Sequence, residues 1–206
     1  MELSAQLLAH YEQNQEKIKQ RLAEFKQIQP NEYFYELCYC ICTPQSKAVA
    51  AFQVQNKLKS ADFYNKPFNP VDILIQKEHY IRFHNQKSER LLAIREQFPQ
   101  VMNIIEENTT PKVKRLELNA LISGMGMKEC SHFLRNIGFN GLTILDRHVL
   151  KHLVLAKVYP ELPIISSIKQ YLVVEEKFLE FAETIAIPID EMDLLFWSFE
   201  NGNILK

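Results

Sequence analysis

The stretch Asn119-Ala120-Leu121-Ile122-Ser123-Gly124-Met125-Gly126-Met127-Lys128-Glu129-Cys130-Ser131-His132-Phe133-Leu134 decides how the rest of the chain is read. An apolar helical pattern runs into Gly124-x-Gly126, and a second helical pattern begins at once. Glycines this close between two helix-like segments predict a tight hairpin whose backbone needs φ > 0. The second helix then opens with amides that have no intrahelical acceptor, a place suited to a phosphate. Lys128 falls in the first turn of that helix, where the helix dipole prefers anions. It is either an ordinary solvated lysine or an amine wanted there in its neutral form, with a lowered pKa.

Working outward, the 206 residues suffice for one large domain or two small lobes sharing a cleft. Only 5 glycines, with many Leu, Glu, Lys and Gln, argue for a mostly helical chain. Charge is uneven: residues 1–80 are neutral, 81–160 carry 12 basic and 7 acidic groups, and 161–206 carry 3 basic and 9 acidic. The positive third contains the Gly-x-Gly hairpin, as suits a nucleic-acid contact face. Cys38, Cys40, Cys42 and Cys130 match neither zinc nor iron–sulfur spacing and read as small buried hydrophobes. They fit a reducing cytosol. Met1-Glu2-Leu3-Ser4 shows no basic region before an apolar core, so no signal peptide is expected. No apolar run approaches the roughly 20 residues of a membrane span. The expected setting is cytoplasmic.

Residues 3–28 read as an amphipathic helix closed by Pro30. Glu32 to about Leu58 is a second helical candidate, its apolar first half, Tyr33–Cys42, a core helix or a buried strand by periodicity alone. Thr43-Pro44-Gln45-Ser46 predicts a break and restart, with Thr43 as N-cap and Pro44 at the first helical position. Gln86 to Phe98 predicts a helix with Lys87, Arg90 and Arg95 on a basic face, stopped by Pro99, with a short helix over Val101–Glu107. Thr109-Thr110-Pro111 starts the helix that leads to the hairpin, and Gly138 caps the one after it. Asp146 is a plausible N-cap for the next. A long helix with an acidic face spans 165–184, and the last begins at Pro188-Ile189-Asp190 and ends near Glu200.

Helix, Gly-x-Gly hairpin, helix is the signature of sequence-independent binding to a DNA backbone, here over about 113–137. Gly124, Gly126 and Met127 would offer backbone amides to a phosphate, with His148 touching a phosphate or orienting Asp146. Lys128, with Asp146 following 18 residues later, adds chemistry. A neutral amine can attack C1′ of a deoxyribose, expel the base and form a Schiff base. That imine acidifies the C2′ protons, so the 3′ phosphate can leave by β-elimination. A carboxylate near C1′ stabilises the positive charge that develops as the base departs. No metal or other cofactor is needed. A base inside a duplex must be flipped out, and an aromatic face must replace its stacking. Trp197, the only tryptophan, is the first candidate, with Phe83 and Phe196 weaker; Gln45 and Ser46 are polar candidates.

Gly124-x-Gly126-x-Lys128, with Gly141-Leu142-Thr143-Ile144-Leu145-Asp146-Arg147-His148 downstream, resembles the helix–hairpin–helix DNA glycosylases, HhH-GPD superfamily. In that superfamily a lysine and an aspartate at these places mark the bifunctional glycosylase/lyases. His132–Gly138, Thr43–Ser46, Arg82-Phe83 and Asp193-Leu194-Leu195-Phe196-Trp197-Ser198…Gly202…Lys206 are similar to a narrower family. This is the second type of 8-oxoguanine DNA glycosylase/abasic-site lyase, found in archaea and some bacteria. Cys40-Ile41-Cys42 departs from its pattern and is expected to affect packing only. The chain lacks the four-cysteine cluster of the endonuclease III branch. The resemblance implies an all-α, two-lobed helical bundle over residues 1–206 with the DNA cleft between the lobes. It implies Lys128 and Asp146 as catalytic residues and Lys206 as a reader of the damaged base beside Trp197. The implied partner is double-stranded DNA containing 8-oxoguanine, bound by a monomer that touches no membrane. Another damaged base, or a non-catalytic helix–hairpin–helix DNA-binding module, are the alternatives, and binding alone has no need of the Lys128/Asp146 pair.

Overall fold

A computed structural model describes residues 2–204, so the expectation for Lys206 lies outside the described residues. The helices are α1 (Ala5–Phe25), α2 (Tyr33–Cys42), α3 (Ala48–Ser60), α4 (Val71–Leu74), α5 (His84–Glu106), α6 (Pro111–Leu121), α7 (Met127–Asn136), α8 (Arg147–Leu155), α9 (Ile168–Ile185) and α10 (Ile189–Asn201). There is no strand among the described residues, in keeping with the all-α expectation. The chain divides into two units, one made of the residues up to Gln27 and from Gly138 onward, the other of Ile28–Ile137.

In the Ile28–Ile137 unit, α2 is the central element and packs on α3, α5 and α7. A helix covered on several sides has no wet face, which explains its unbroken apolar run. Every residue from Phe34 to Cys42 is buried. The one acid in that run, Glu36, accepts hydrogen bonds from Gln55 Nε2 at 2.8 Å and Asn136 Nδ2 at 3.2 Å. Buried polar groups need such partners.

The structure corrects two expected boundaries here. Pro99 does not stop a helix: α5 continues through it to Glu106. An internal proline costs about 3 kcal/mol. Burial of Leu91, Ile94, Phe98, Val101 and Ile105 along one stripe of α5 outweighs it, at roughly 1.5–3 kcal/mol per side chain. Lys114 also secures the end of α5, donating to the carbonyls of Ile104 at 2.8 Å and Ile105 at 2.9 Å and to that of Glu107. Thr43 is not an N-cap. Its backbone is helical (φ −67°, ψ −37°), and its hydroxyl donates back to Cys40 O at 2.9 Å. The turn fills residues 43–47 and the chain restarts as α3 at Ala48.

In the other unit, α10 packs on α1, α8 and α9. Its core includes parallel stacks of His152 on Phe196 (ring centroids 4.7 Å apart) and of Phe178 on Phe196 (5.8 Å). Tyr11 of α1 donates to Glu191 of α10 at 2.7 Å. Gly138 follows α7 at φ +96°, and a Cβ there would lie 2.9 Å from Lys26 Cα, so both backbone and space require glycine. No helix among the described residues is long and apolar enough to cross a membrane.

Candidate active site

The hairpin is built from local signals. Thr110 caps α6, accepting from Val113 N at 3.3 Å, with Pro111 at its first position. After Leu121 the chain turns through Gly124 at φ +81°, and Asn119 Nδ2 reaches across to Met125 O at 2.8 Å. Only Gly124 takes the left-handed conformation; Gly126 is extended (φ −81°, ψ 176°) and is the N-cap of α7. Gly126 N–H donates to Glu129 Oε2 at 3.2 Å, while the opening amides of α7 stand at a helix start with no acceptor in their own helix. Met127, whose side chain is buried, contributes its backbone.

Lys128 stands on that first turn, its side chain 33% exposed and its Nζ 2.9 Å from Glu129 Oε1. One carboxylate thus steers the lysine amine and ties off the hairpin amide. Arg90 completes the surroundings: a Cβ built on Gly124 would come 2.3 Å from its guanidinium carbon. The guanidinium therefore lies directly against the turn. Neither Glu129 nor Arg90 was singled out from the sequence as part of the site, although Gly126-x-x-Glu129 has capping-box spacing.

Lys87 departs most from expectation. The sequence places it with Arg90 and Arg95 on a basic face, yet it is only 2% exposed. Its ammonium donates to Cys42 O at 2.8 Å, Pro44 O at 2.6 Å and Ser46 Oγ at 3.3 Å. Burial lowers its pKa to about 8. Ser46 Oγ also accepts from Arg82 N at 3.1 Å. Beside these contacts stand Gln45, left-handed at φ 56°, and Phe83, left-handed at φ 58°. The Phe83 ring is 52% exposed, with the Arg82 guanidinium 5.6 Å above it.

Asp146 belongs to the other unit and caps α8. Its Oδ1 accepts from His148 N at 2.8 Å and Val149 N at 2.9 Å, as its N-cap reading requires. The irregular segment before it is pinned at several points. Gly141 N–H donates to the Asp190 carboxylate at 3.1 Å, Thr143 Oγ1 to Glu175 Oε1 at 3.0 Å, and Tyr171 OH to Thr143 O at 2.8 Å. Fixing a carboxylate this way costs nothing at the moment of reaction. The His148 ring, a candidate backbone contact, has Nδ1 3.6 Å from Glu200 Oε2. Glu200 also holds Lys151 Nζ at 2.8 Å and His152 Nε2 at 3.0 Å. Trp197 is half-buried on the same helix, α10.

Lys128, Gly124, Gly126, Met127, Gln45, Ser46 and Phe83 thus share one unit, and Asp146, His148 and Trp197 share the other. Among the described residues no group of three His, Cys, Asp or Glu side chains is placed to hold a metal ion.

Comparison with known proteins gives this arrangement a family. The family model for 8-oxoguanine DNA glycosylase, of the helix–hairpin–helix kind, matches residues 18–187. The 8-oxoguanine DNA glycosylase/AP lyase of Fusobacterium nucleatum is 42% identical, over 95% of this chain and 94% of that protein. Its counterpart from Methanocaldococcus jannaschii is 31% identical, over 92% of this chain and 91% of that one. The crystal structure of the M. jannaschii 8-oxoguanine glycosylase/lyase in complex with a 15mer DNA containing 8-oxoguanine superimposes with a TM-score of 0.85 at 30% identity, covering 98% of this chain and 100% of that one. The 8-oxoguanine DNA glycosylase of Thermotoga maritima gives 0.84 at 28% identity, covering 98% of this chain and 97% of that one. With a family model spanning most of its length, the chain belongs to the helix–hairpin–helix 8-oxoguanine DNA glycosylases.

Proposed function

We propose that this protein excises 8-oxoguanine from double-stranded DNA and nicks the strand at the resulting abasic site through a Schiff base on Lys128. The observation that carries the reading is the place of Lys128, in the first turn of a helix that opens from a Gly124–Gly126 hairpin, in a chain of this family. The opening amides of α7 and Arg90 hold a backbone phosphate. The flipped nucleotide then presents C1′ to the lysine. The neutral Nζ attacks C1′ and the bond to the base breaks, its electrons leaving with the base, which takes up a proton. Glu129, 2.9 Å from Nζ, keeps the amine in place between turnovers. Asp146 supplies negative charge as the sugar becomes cationic. The C1′–O4′ bond then opens, its electrons going to O4′, which takes up the proton that Nζ gives up; the imine so formed lets a C2′ proton be removed, and the C3′–O bond breaks to release the phosphate.

Trp197, Phe83, Gln45, Ser46 and Lys206 are assigned to the base. Trp197 and Phe83 offer aromatic faces of the kind that replace lost stacking. The protein acts as a monomer in the cytoplasm, on nucleoid DNA; its four buried thiols suit a reducing compartment. Borohydride trapping tests the reading. A covalent complex should form on 8-oxoguanine duplex and vanish in Lys128→Gln, which keeps DNA affinity within about three-fold. No trapped species, or undiminished trapping in that variant, overturns it. A panel of lesion-bearing duplexes separates 8-oxoguanine from other damaged bases.

A further inference from the structure

A buried lysine is costly unless its charge is well used. Lys87 is a buried cation of the Ile28–Ile137 unit that the chemistry above leaves without a task. From α5 its hydrogen bonds hold two pieces of chain together: they reach Cys42 O at the end of α2 and Pro44 O and Ser46 Oγ in the turn that follows, and Ser46 Oγ also accepts from Arg82 N, just ahead of α5. Each piece carries one non-glycine residue in the left-handed conformation, Gln45 at φ 56° and Phe83 at φ 58°. Such backbone strain persists only where the surroundings over-determine it, and it concentrates at functional sites. Both residues are exposed, so neither is held by packing of its own side chain.

We propose that Lys87 is a positioning residue for the damaged base: it clips the 43–47 turn to the start of α5 and so fixes Gln45 and Phe83 where the flipped base is read. This rests on the base-excision reading above. The clip counts protons. An ammonium has three N–H donors for its three acceptors, whereas a neutral amine has two. The bond to Ser46 is the longest of the three and the first to be released, and Ser46 is the residue that also accepts from Arg82 N. The charged and titratable groups facing Lys87 are Cys42 from α2, Arg90 on its own helix, and Lys128 and Glu129 from α7. Burial pushes Cys42 up to about 12, so it stays a neutral thiol through the alkaline range that matters here.

The test separates base reading from strand nicking. Single-turnover release of 8-oxoguanine and nicking at a preformed abasic site are measured side by side in Lys87→Met. Excision should fall by about 30-fold or more, because misplacing a contact by an ångström costs up to ~10²-fold. Nicking, which reads no base, should stay within about three-fold of wild type. Equal losses in both, or no loss in excision, overturn the clip. Should Lys87→Met fail to fold, the wild-type enzyme decides. Its ratio of excision to nicking should decline with a midpoint near pH 8, where the Lys87 ammonium is lost. A ratio flat across that range overturns the proposal. If the wild-type protein releases no 8-oxoguanine at all, the function assigned above fails instead, and the two failures are distinct.

Discussion

The Arg90 guanidinium rests so closely on Gly124 that a methyl group on that glycine would lie 2.3 Å from its central carbon. On the proposed function the turn would serve as a compound anion site, with helix-start amides on one side and a fixed cation on the other. Gly124→Ala both strains a φ of +81° and expels Arg90. It should weaken binding to undamaged duplex by roughly 10-fold and lower stability by about 1 kcal/mol. Arg90→Ala should weaken binding without the stability loss, and reduce the slope of log affinity against log salt by about 1. Fluorescence anisotropy across a salt series, with thermal melts, checks both. An unchanged slope would remove Arg90 from the phosphate.

Asp146 allows its structural and chemical duties to be told apart. Its Oδ1 caps α8 through two amides, and asparagine caps nearly as well. Asp146→Asn should therefore leave the melting temperature close to wild type, yet slow 8-oxoguanine excision by roughly 10²-fold through loss of the charge. Asp146→Ala should add a stability loss of about 1 kcal/mol. If Asn and wild type excise equally fast, the carboxylate is a cap and nothing more.

These two sites show what a linear sequence can disclose. The turn at Gly124 and Gly126, the place of Lys128 in the first turn of α7 and the capping role of Asp146 are legible because each is a local event, governed by residues within a turn or two. Lys87 is not, because its fate depends on which face of α5 turns inward. Its spacing held a clue: 87, 91, 94 and 98 recur at helical intervals, and Leu91, Ile94 and Phe98 form the buried stripe. A charged residue in such a stripe is a buried ion in waiting, whereas its grouping with Arg90 and Arg95 points to a solvated face. Pro99 misled for the same reason, since its local penalty yields to burial on both sides of it. Thr43 misled because turn chemistry at Thr-Pro fits either an N-cap or a C-terminal exit, and a distant lysine decides which.

Trp197, half-buried on α10, is assigned to the flipped base and not to the sugar chemistry. Trp197→Ala should thus cut 8-oxoguanine release by about 10- to 100-fold, since stacking a base on an aromatic ring is worth roughly 1–3 kcal/mol. Nicking at a preformed abasic site, where no base remains to be stacked, should hold within about three-fold. Parallel loss of both activities would place Trp197 in the core.

The cluster where α8 meets α10 predicts how stability responds to acid. Burial lowers the pKa of His152, which is 4% exposed and stacked on Phe196. Its neutral form is thus favoured by folding. The associated stability is complete above its ordinary value of 6.5 and declines as pH falls below it, because the unfolded chain takes up that proton first. Glu200 is held low chiefly by its hydrogen bond from Lys151, so its contribution is present above its ordinary 4.5 and is lost on further acidification. The melting temperature should therefore fall in two stages, one starting near pH 6.5 and one near pH 4.5. Glu200→Gln cannot ionise, so the second stage should shrink, while the first deepens because Glu200 no longer holds the His152 pKa up. Calorimetry across this range in both proteins checks the assignment. A second stage of equal size in Glu200→Gln would show that other carboxylates carry it.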